Sequence, residues 1–139
     1  MPIPSAYQRA SVDFDKFMLD ARDIAGLATT NMAWNMVAGV LHTFRRRLNV
    51  KEAIRFADVL PPVLRAIFVA DWNTDEPSLP FDERSAMTRE VQSLRAAHNF
   101  APDTAIHDVA MALRRNINEE DLDRVLAGLP QGAADFWRV

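Results

Sequence analysis

Two groups of consecutive arginines are the side chains in this sequence that are best suited to bind an anion or an acidic partner. The first group is Arg45, Arg46 and Arg47, and the second is Arg114 and Arg115. Guanidinium groups pair with carboxylates and phosphates through parallel hydrogen bonds. If both groups lie on one face of the fold, they form a contact surface for such a partner. The alternative is that they cap the C-termini of helices and form salt bridges inside the protein.

Trp72 is the aromatic residue that the sequence places closest to a candidate partner surface. It directly precedes residues 73–80, a segment rich in proline and polar residues. A tryptophan at the end of a helical unit usually closes the core, but a partly exposed one can anchor a binding partner. We therefore take Trp72, together with the five arginines, as the candidate binding residues.

The other ionisable residues do not form a pattern typical of a catalytic or metal site. His42, His98 and His107 show neither the His-x-x-x-His nor the Glu-x-x-His spacing of helical metal sites. We expect His98 to be packed and hydrogen-bonded, and the other two histidines to face solvent. The carboxylates at 119–123 fit the first turn of a helix, where they can also pair with Arg114. Since no nucleophile–base set and no glycine-rich phosphate loop is present, we predict a protein that is not an enzyme and uses no metal or cofactor.

Composition and charge exclude several further classes of protein. The chain has 139 residues, no cysteine, 16 Lys+Arg and 19 Asp+Glu, with a net charge of −3. This length suits one ordinary domain, and the lack of cysteine excludes a disulfide scaffold. We find no apolar run long enough to cross a membrane and no secretory signal. The negative net charge argues against binding to duplex nucleic acid. The lack of cysteine and of a secretory signal favours the cytoplasm, so we predict a cytoplasmic protein that binds neither a membrane nor a duplex.

The apolar pattern predicts helices and no strands. Apolar residues recur at three- and four-residue spacing from Met36 to Leu48, which is typical of an amphipathic helix. Asn49 and Glu52 have the spacing of a capping box at the start of the next helix. Pro61 and Pro62 end that helix and begin another. No segment alternates as a strand does, so the chain is predicted to be all helical.

Residues 37–61 are similar to residues 106–130 when the sequence is shifted by 69 positions. The comparison gives seven identities in 25 pairs, and helix, cap, helix and Leu-Pro follow in the same order. We therefore predict an all-α fold of two tandem four-helix units packed as one pseudo-symmetric body. The predicted divisions are a flexible N-terminal arm at 1–13, a first unit at 14–72, a linker at 73–80 and a second unit at 81–139.

The helix-core residues and the Leu-Pro turns follow one order over residues 14–138. The segments are Phe17-Met18-Leu19, Ala25-Gly26-Leu27, Val40-Leu41 and Leu60-Pro61-Pro62-Val63-Leu64-Arg65, and then Val91, Val109, Leu113, Leu129-Pro130 and Phe136-Trp137. This order resembles the bacterial family called domain of unknown function 2267. The resemblance implies a small, all-helical bacterial protein with a duplicated unit. It implies no catalytic residues, because the family has no established activity.

Two functions stay open at this point. The first is a non-enzymatic interaction or scaffold protein of the cytoplasm, which contacts a protein partner through the Arg-bearing helix ends; a homodimer fits this function too. The second is a small-ligand or anion-binding helical module with its site between the two repeats. A deep apolar pocket between the repeats favours the second function, whereas a flat, exposed apolar patch favours the first.

Overall fold

All of the regular secondary structure in the residues that the structure describes is helical. A computed structural model describes residues 2–139, and within them there is no strand. No helix in this range is both long enough and apolar enough to cross a membrane. The predicted all-α class is therefore confirmed. The helices are α1 (Ser5–Gln8), α2 (Ala10–Ala25), α3 (Thr30–Arg45), α4 (Val50–Ala57), α5 (Pro62–Val69), α6 (Arg84–Ser93), α7 (Ala105–Asn116), α8 (Glu119–Ala127) and α9 (Ala133–Phe136), with a 3-10 turn at Ala96–His98.

Helical structure begins within the segment that the sequence predicts to be a flexible arm at 1–13. Met1 lies outside the described residues, but α1 and the first turn of α2 fall inside this segment. The Pro4 carbonyl accepts the backbone N–H of Tyr7 at 3.0 Å. Arg9 forms an ion pair with Asp13 one turn later, at 3.5 Å. Such local bonds support a surface helix that has no apolar stripe, which is why the hydrophobic pattern does not reveal it.

The predicted start signals of the inner helices are confirmed. The Asn49 side chain accepts the Glu52 backbone N–H at 2.8 Å, and the Glu52 side chain accepts the Asn49 N–H at 2.9 Å. This reciprocal pair is the capping box that begins α4. Pro62 is the first residue of α5, a position where the missing N–H of proline costs nothing.

The helices from the two ends of the chain interlock. Helix α2 packs mainly on α7, α6 packs on α3, and α4 contacts α8. Aromatic rings fill the centre of the molecule. Phe44 of α3 lies 4.6 Å from Phe56, 5.0 Å from Phe136 and 5.4 Å from Trp137, measured between ring centroids. One continuous core thus includes residues from both halves of the chain.

Gly39 is the point of closest approach between α3 and α6. A Cβ atom at this position would lie 2.8 Å from the Val91 carbonyl oxygen, so α6 would have to shift. We expect Gly39→Ala to lower the free energy of unfolding by about 1–3 kcal/mol, although alanine favours a helix more than glycine does. Denaturant unfolding measures this, with Gly128→Ala as the control because its nearest contact would be an ordinary 3.6 Å. Equal loss of stability in the two variants would contradict the prediction.

Candidate functional site

Arg45 is a buried side chain at the C-terminal end of α3. Only 6% of the residue is exposed. Its Nη1 donates hydrogen bonds to the carbonyls of Phe68 and Ala70, both at 2.9 Å. These carbonyls belong to the end of α5, where a helix has no internal donor for them. His42, one turn earlier in α3, contacts the neighbouring Ile67 carbonyl through Nε2 at 2.8 Å, so both side chains hold the end of α5 on α3.

The charge of Arg45 has no carboxylate partner among the described residues. Its guanidinium carbon lies 5.3 Å from the centre of the Trp72 ring, a cation–π distance. Its Nε atom is buried and has no hydrogen-bond partner. Burial lowers the pKa of Arg45, and the neighbouring charge of Arg46 lowers it further, while Glu76 and Asp71 act in the opposite direction without forming a salt bridge. An arginine stays protonated even so, and the result is a desolvated cation beside an indole ring.

Arg46 and Arg47 are held by Glu90 of α6. Arg47 donates to the two Glu90 carboxylate oxygens at 2.7 and 3.1 Å, and Arg46 donates to one of them at 3.0 Å. Burial acts to raise the pKa of Glu90, but the hydrogen bonds from Arg47 and Arg46 outweigh it and lower the pKa. Arg47 is only 7% exposed. These two arginines therefore join α3 to α6.

Arg114 also acts within the chain, whereas Arg115 is exposed. Arg114 donates from Nε to the Trp137 carbonyl at 2.9 Å and from Nη2 to Asp123 at 3.0 Å. Its Nη1 lies 3.6 Å from Glu119, in the acidic first turn of α8. These contacts are of the kind that the alternative interpretation of the arginine groups predicts, namely helix caps and salt bridges inside the protein. Among the described residues, the side chain of Arg115 forms one hydrogen bond, a weak one to the Met111 sulphur at 3.8 Å.

The predicted binding residues line two different pockets. Arg45, Arg46 and Trp72 share one pocket, while Arg114 lines another together with Arg138. A contact surface formed by both arginine groups stays a prediction, but the buried side chains leave little area for it. Arg47 lines neither of these two pockets, since it is buried and bound to Glu90 of α6, while Arg115 is exposed to solvent.

Two of the histidine predictions are wrong. His98 is exposed, because it lies in the 3-10 turn before α7 and not on a packed helix face. His42 is half-buried, because α5 covers that side of α3; burial lowers its pKa and keeps the ring neutral at pH 7. The His107 side chain is 43% exposed and lies beside Asp108, with Nδ1 3.3 Å from the carboxylate. Over residues 2–139, no cluster of three or more His, Asp or Glu side chains has the arrangement of a metal site.

A groove between α2 and α3 is the feature that the sequence reasoning missed. Its volume is about 400 Å3, and we call it the Trp34 groove. Leu19 and Trp34 line it, and each is 43% exposed. Trp34 packs edge-to-face on Phe14, with ring centroids 6.3 Å apart. The signal was available, because both large residues lie off the apolar stripes of their helices. The complete lining is Phe14, Asp15, Met18, Leu19, Thr30, Asn31 and Trp34.

The second half of the chain has a cleft at positions that match the Trp34 groove in sequence. This cleft has a volume of about 450 Å3 and is lined by Ser85, Thr88, Arg89, Gln92 and Asp103. With an offset of 69 or 70 residues, Leu19 corresponds to Arg89 and Trp34 corresponds to Asp103. The Gln92 amide donates to Asp103 at 3.0 Å across the cleft. The two large apolar residues of the groove, Leu19 and Trp34, are thus replaced by charged residues in the second half.

Comparison with known proteins gives a family but no characterised relative. No curated protein matches the chain. The family model described as "Uncharacterized conserved protein (DUF2267)" matches residues 14–136. This range includes both the Trp34 groove and the arginine pockets, apart from the last residues of the chain. Since the match covers most of the sequence, the chain belongs to the DUF2267 family.

Proposed function

We propose that this protein is a non-enzymatic interaction protein that binds an amphipathic helix of a partner protein in the Trp34 groove. The observation that carries the proposal is the pair of large apolar side chains, Leu19 and Trp34, exposed together in one groove. Soluble proteins rarely leave such side chains clustered at the surface unless a partner covers them. A groove between two helices is a common receptor for the apolar face of a third helix.

Comparison of the Trp34 groove with the polar cleft in the second half supports this proposal, because it indicates that folding does not require apolar residues at these positions. The corresponding cleft has Arg89 and Asp103 where the groove has Leu19 and Trp34. If the two halves share one architecture, polar residues satisfy these positions equally well. The apolar residues of the groove are then explained by binding and not by packing.

A duplicated architecture of two four-helix units is part of this proposal, and matching hydrogen bonds support it. Arg45 donates to a carbonyl 23 residues later, and Arg114 does the same. Arg47 reaches Glu90 in the other half, and at the equivalent position Asn116 reaches Asp20 at 2.8 Å. We propose that the units span residues 14–72 and 81–139.

The charge of α2 indicates the kind of helix that the groove accepts. The helix carries four aspartates and only two cations, Lys16 and Arg22. Asp15 lines the groove and forms no salt bridge among the described residues. A partner helix with an apolar face flanked by lysine or arginine would complement both the groove and this carboxylate. We place this interaction in the bacterial cytoplasm, which the cysteine-free sequence supports.

The ligand-binding alternative, with a site between the two repeats, gains no support from the centre of the molecule. Phe56 and Trp137 are stacked there with ring centroids 5.5 Å apart, and Phe44 packs against both. These rings occupy the volume that a ligand between the halves would need.

Differential affinity capture tests the proposed function. The wild type, Trp34→Glu and Leu19→Glu are used to recover proteins from an extract of the cells that produce this chain. We expect the wild type to recover a partner that both variants lose, because truncating or charging a central apolar anchor weakens an interface by about 2 kcal/mol or more, roughly 30-fold. The recovered partner is then titrated calorimetrically against each variant.

Ile54→Glu is the matched control, because Ile54 is an equally large apolar residue that is 55% exposed on α4, outside the groove. We expect Ile54→Glu to recover the same partner with unchanged affinity. Recovery of identical proteins by all four forms would overturn the proposal. So would sedimentation that shows a homodimer dissociated by Trp34→Glu, since the occupant of the groove would then be a second copy of this chain.

A further inference from the structure

A second, smaller pocket lies between the end of α3 and the segment that follows Trp72. Its volume is about 220 Å3, and we call it the linker pocket. The backbone of Leu79 donates to the Arg46 carbonyl at 2.9 Å, which holds this segment against α3. The lining residues are Arg45, Arg46, Leu48, Trp72, Glu76, Pro77 and Leu79.

Arg45 is the residue that makes this pocket chemically unusual. Only 6% of Arg45 is exposed, so its charge has lost most of its hydration. A buried cation normally has a hydrogen-bonded counter-ion, since the loss of hydration is otherwise uncompensated. Its Nη1 is occupied by two carbonyls, but carbonyls carry no charge. Nε has no partner, and Nη2 forms no hydrogen bond with the described residues.

We propose that the linker pocket binds a small organic monocarboxylate, with its carboxylate paired to the guanidinium of Arg45. Nε and Nη2 share one edge of the planar guanidinium, but Nε is shielded from solvent and Nη2 is not, so the carboxylate reaches the guanidinium at Nη2 through a charge-assisted hydrogen bond. Nη1 points to the end of α5 and stays bound there. The site is independent of the Trp34 groove, because no lining residue is shared.

Charge counting favours one negative charge on the ligand. Arg45, Arg46 and Arg47 bring three positive charges to this end of α3, and Glu90 neutralises one of them. Glu76 lines the pocket and supplies a second negative charge, although it forms no salt bridge with Arg45. Asp71 also acts on the charge of Arg45, so the charges around the pocket nearly balance, and they repel a monocarboxylate less than a phosphate dianion.

The walls of the pocket favour a ligand with a short apolar chain. Leu48, Pro77 and Leu79 offer aliphatic surface, and Trp72 covers the guanidinium face. A volume of about 220 Å3 is enough for a carboxylate with a few carbon atoms, and it is below the range of ordinary cofactor pockets. Butyrate is therefore a suitable probe of this chemistry.

Nuclear magnetic resonance titration of the full chain with sodium butyrate tests the proposal. The Nε–H signal of a buried arginine can be followed directly. We expect a saturable shift of the Arg45 signal with a Kd of about 1 mM, which corresponds to roughly −4 kcal/mol. Parallel titrations use sodium phosphate and sodium chloride at equal ionic strength. We expect phosphate to bind at least about 10-fold more weakly and chloride to give no saturable shift.

Two variants keep the test decisive. Arg45→Lys retains the charge but loses the planar fork, and we expect it to bind butyrate at least about 10-fold more weakly. Because this variant also loses contacts to α5, Trp72→Leu provides a second change within the pocket, and circular dichroism verifies that both are folded. Arg124→Gln, an exposed charge on α8, is the control. No saturable shift in the wild type, equal shifts with chloride, or equal affinity in the folded variants would overturn the proposal.

Discussion

Replacing Phe44 by alanine is expected to lower the free energy of unfolding by about 3–5 kcal/mol. Phe44 is completely buried, and its ring contacts the rings of Phe56, Phe136 and Trp137. The substitution removes apolar contact area and leaves a cavity at the point where the two halves of the chain meet. A loss of this size is a large fraction of the stability of an ordinary domain.

Urea unfolding, followed by near- and far-ultraviolet circular dichroism, measures this effect. Phe100→Ala is the matched control, because Phe100 is 51% exposed and its truncation should change stability by no more than about 0.5 kcal/mol. We expect both signals to report one transition in the wild type, since the aromatic core is shared by both halves. Two separate transitions, or equal effects of the two variants, would show that Phe44 does not join the halves.

The second large effect is expected for Glu90→Gln, at about 3 kcal/mol of lost stability. Glu90 is the carboxylate that neutralises Arg47, which is 7% exposed, and it also pairs with Arg46. Removing the negative charge leaves a buried guanidinium without a counter-ion, which costs far more than losing a surface pair. Denaturant unfolding at pH 7 provides the measurement. Glu119→Gln should cost less than about 1 kcal/mol, because the Glu119 side chain is 56% exposed and Arg114 keeps its second carboxylate partner, Asp123.

The same pair gives a pH dependence with a definite sign. The hydrogen bonds from Arg47 and Arg46 lower the pKa of Glu90 in the folded protein, against the effect of burial. A carboxylate with a lowered pKa contributes stability that is present above its unfolded pKa and is lost as pH falls through the folded value. The difference in stability between wild type and Glu90→Gln should therefore shrink below about pH 4.5. A constant difference down to low pH would contradict the role of the ion pair.

Local signals in the sequence were sufficient to predict much of the fold. The Asn49 capping box, the start of α5 at Pro62 and the buried stripe from Met36 to Leu48 depend on neighbours within a few residues. Such features can be recognised from the spacing of residues in the sequence, since a cap lies within one turn of its helix and helical periodicity places the stripe on one face. The short helix α1 near the N-terminus was harder to predict, because it has no buried apolar residue.

The candidate sites could not be predicted to the same extent, because they depend on contacts between distant segments. Arg45 is buried by the end of α5, and Arg47 is neutralised by Glu90, 43 residues away. His42 is covered by α5 for the same reason. Trp34, in contrast, did carry a signal in the sequence, because it lies off the apolar stripe of α3. The structure shows it exposed beside Leu19. Its exposure becomes meaningful only when α2 and α3 are placed side by side.

Hydrogen-exchange mass spectrometry on the complex with the captured partner tests the central claim most directly, because it locates the contact surface on the intact chain. The proposed function predicts that the partner slows exchange in α2 and in the first turns of α3, the two elements that form the Trp34 groove. Exchange in the polar cleft, at residues 85–92, should be unchanged. Protection confined to α7 and α8, with no change around Leu19 and Trp34, would contradict the account.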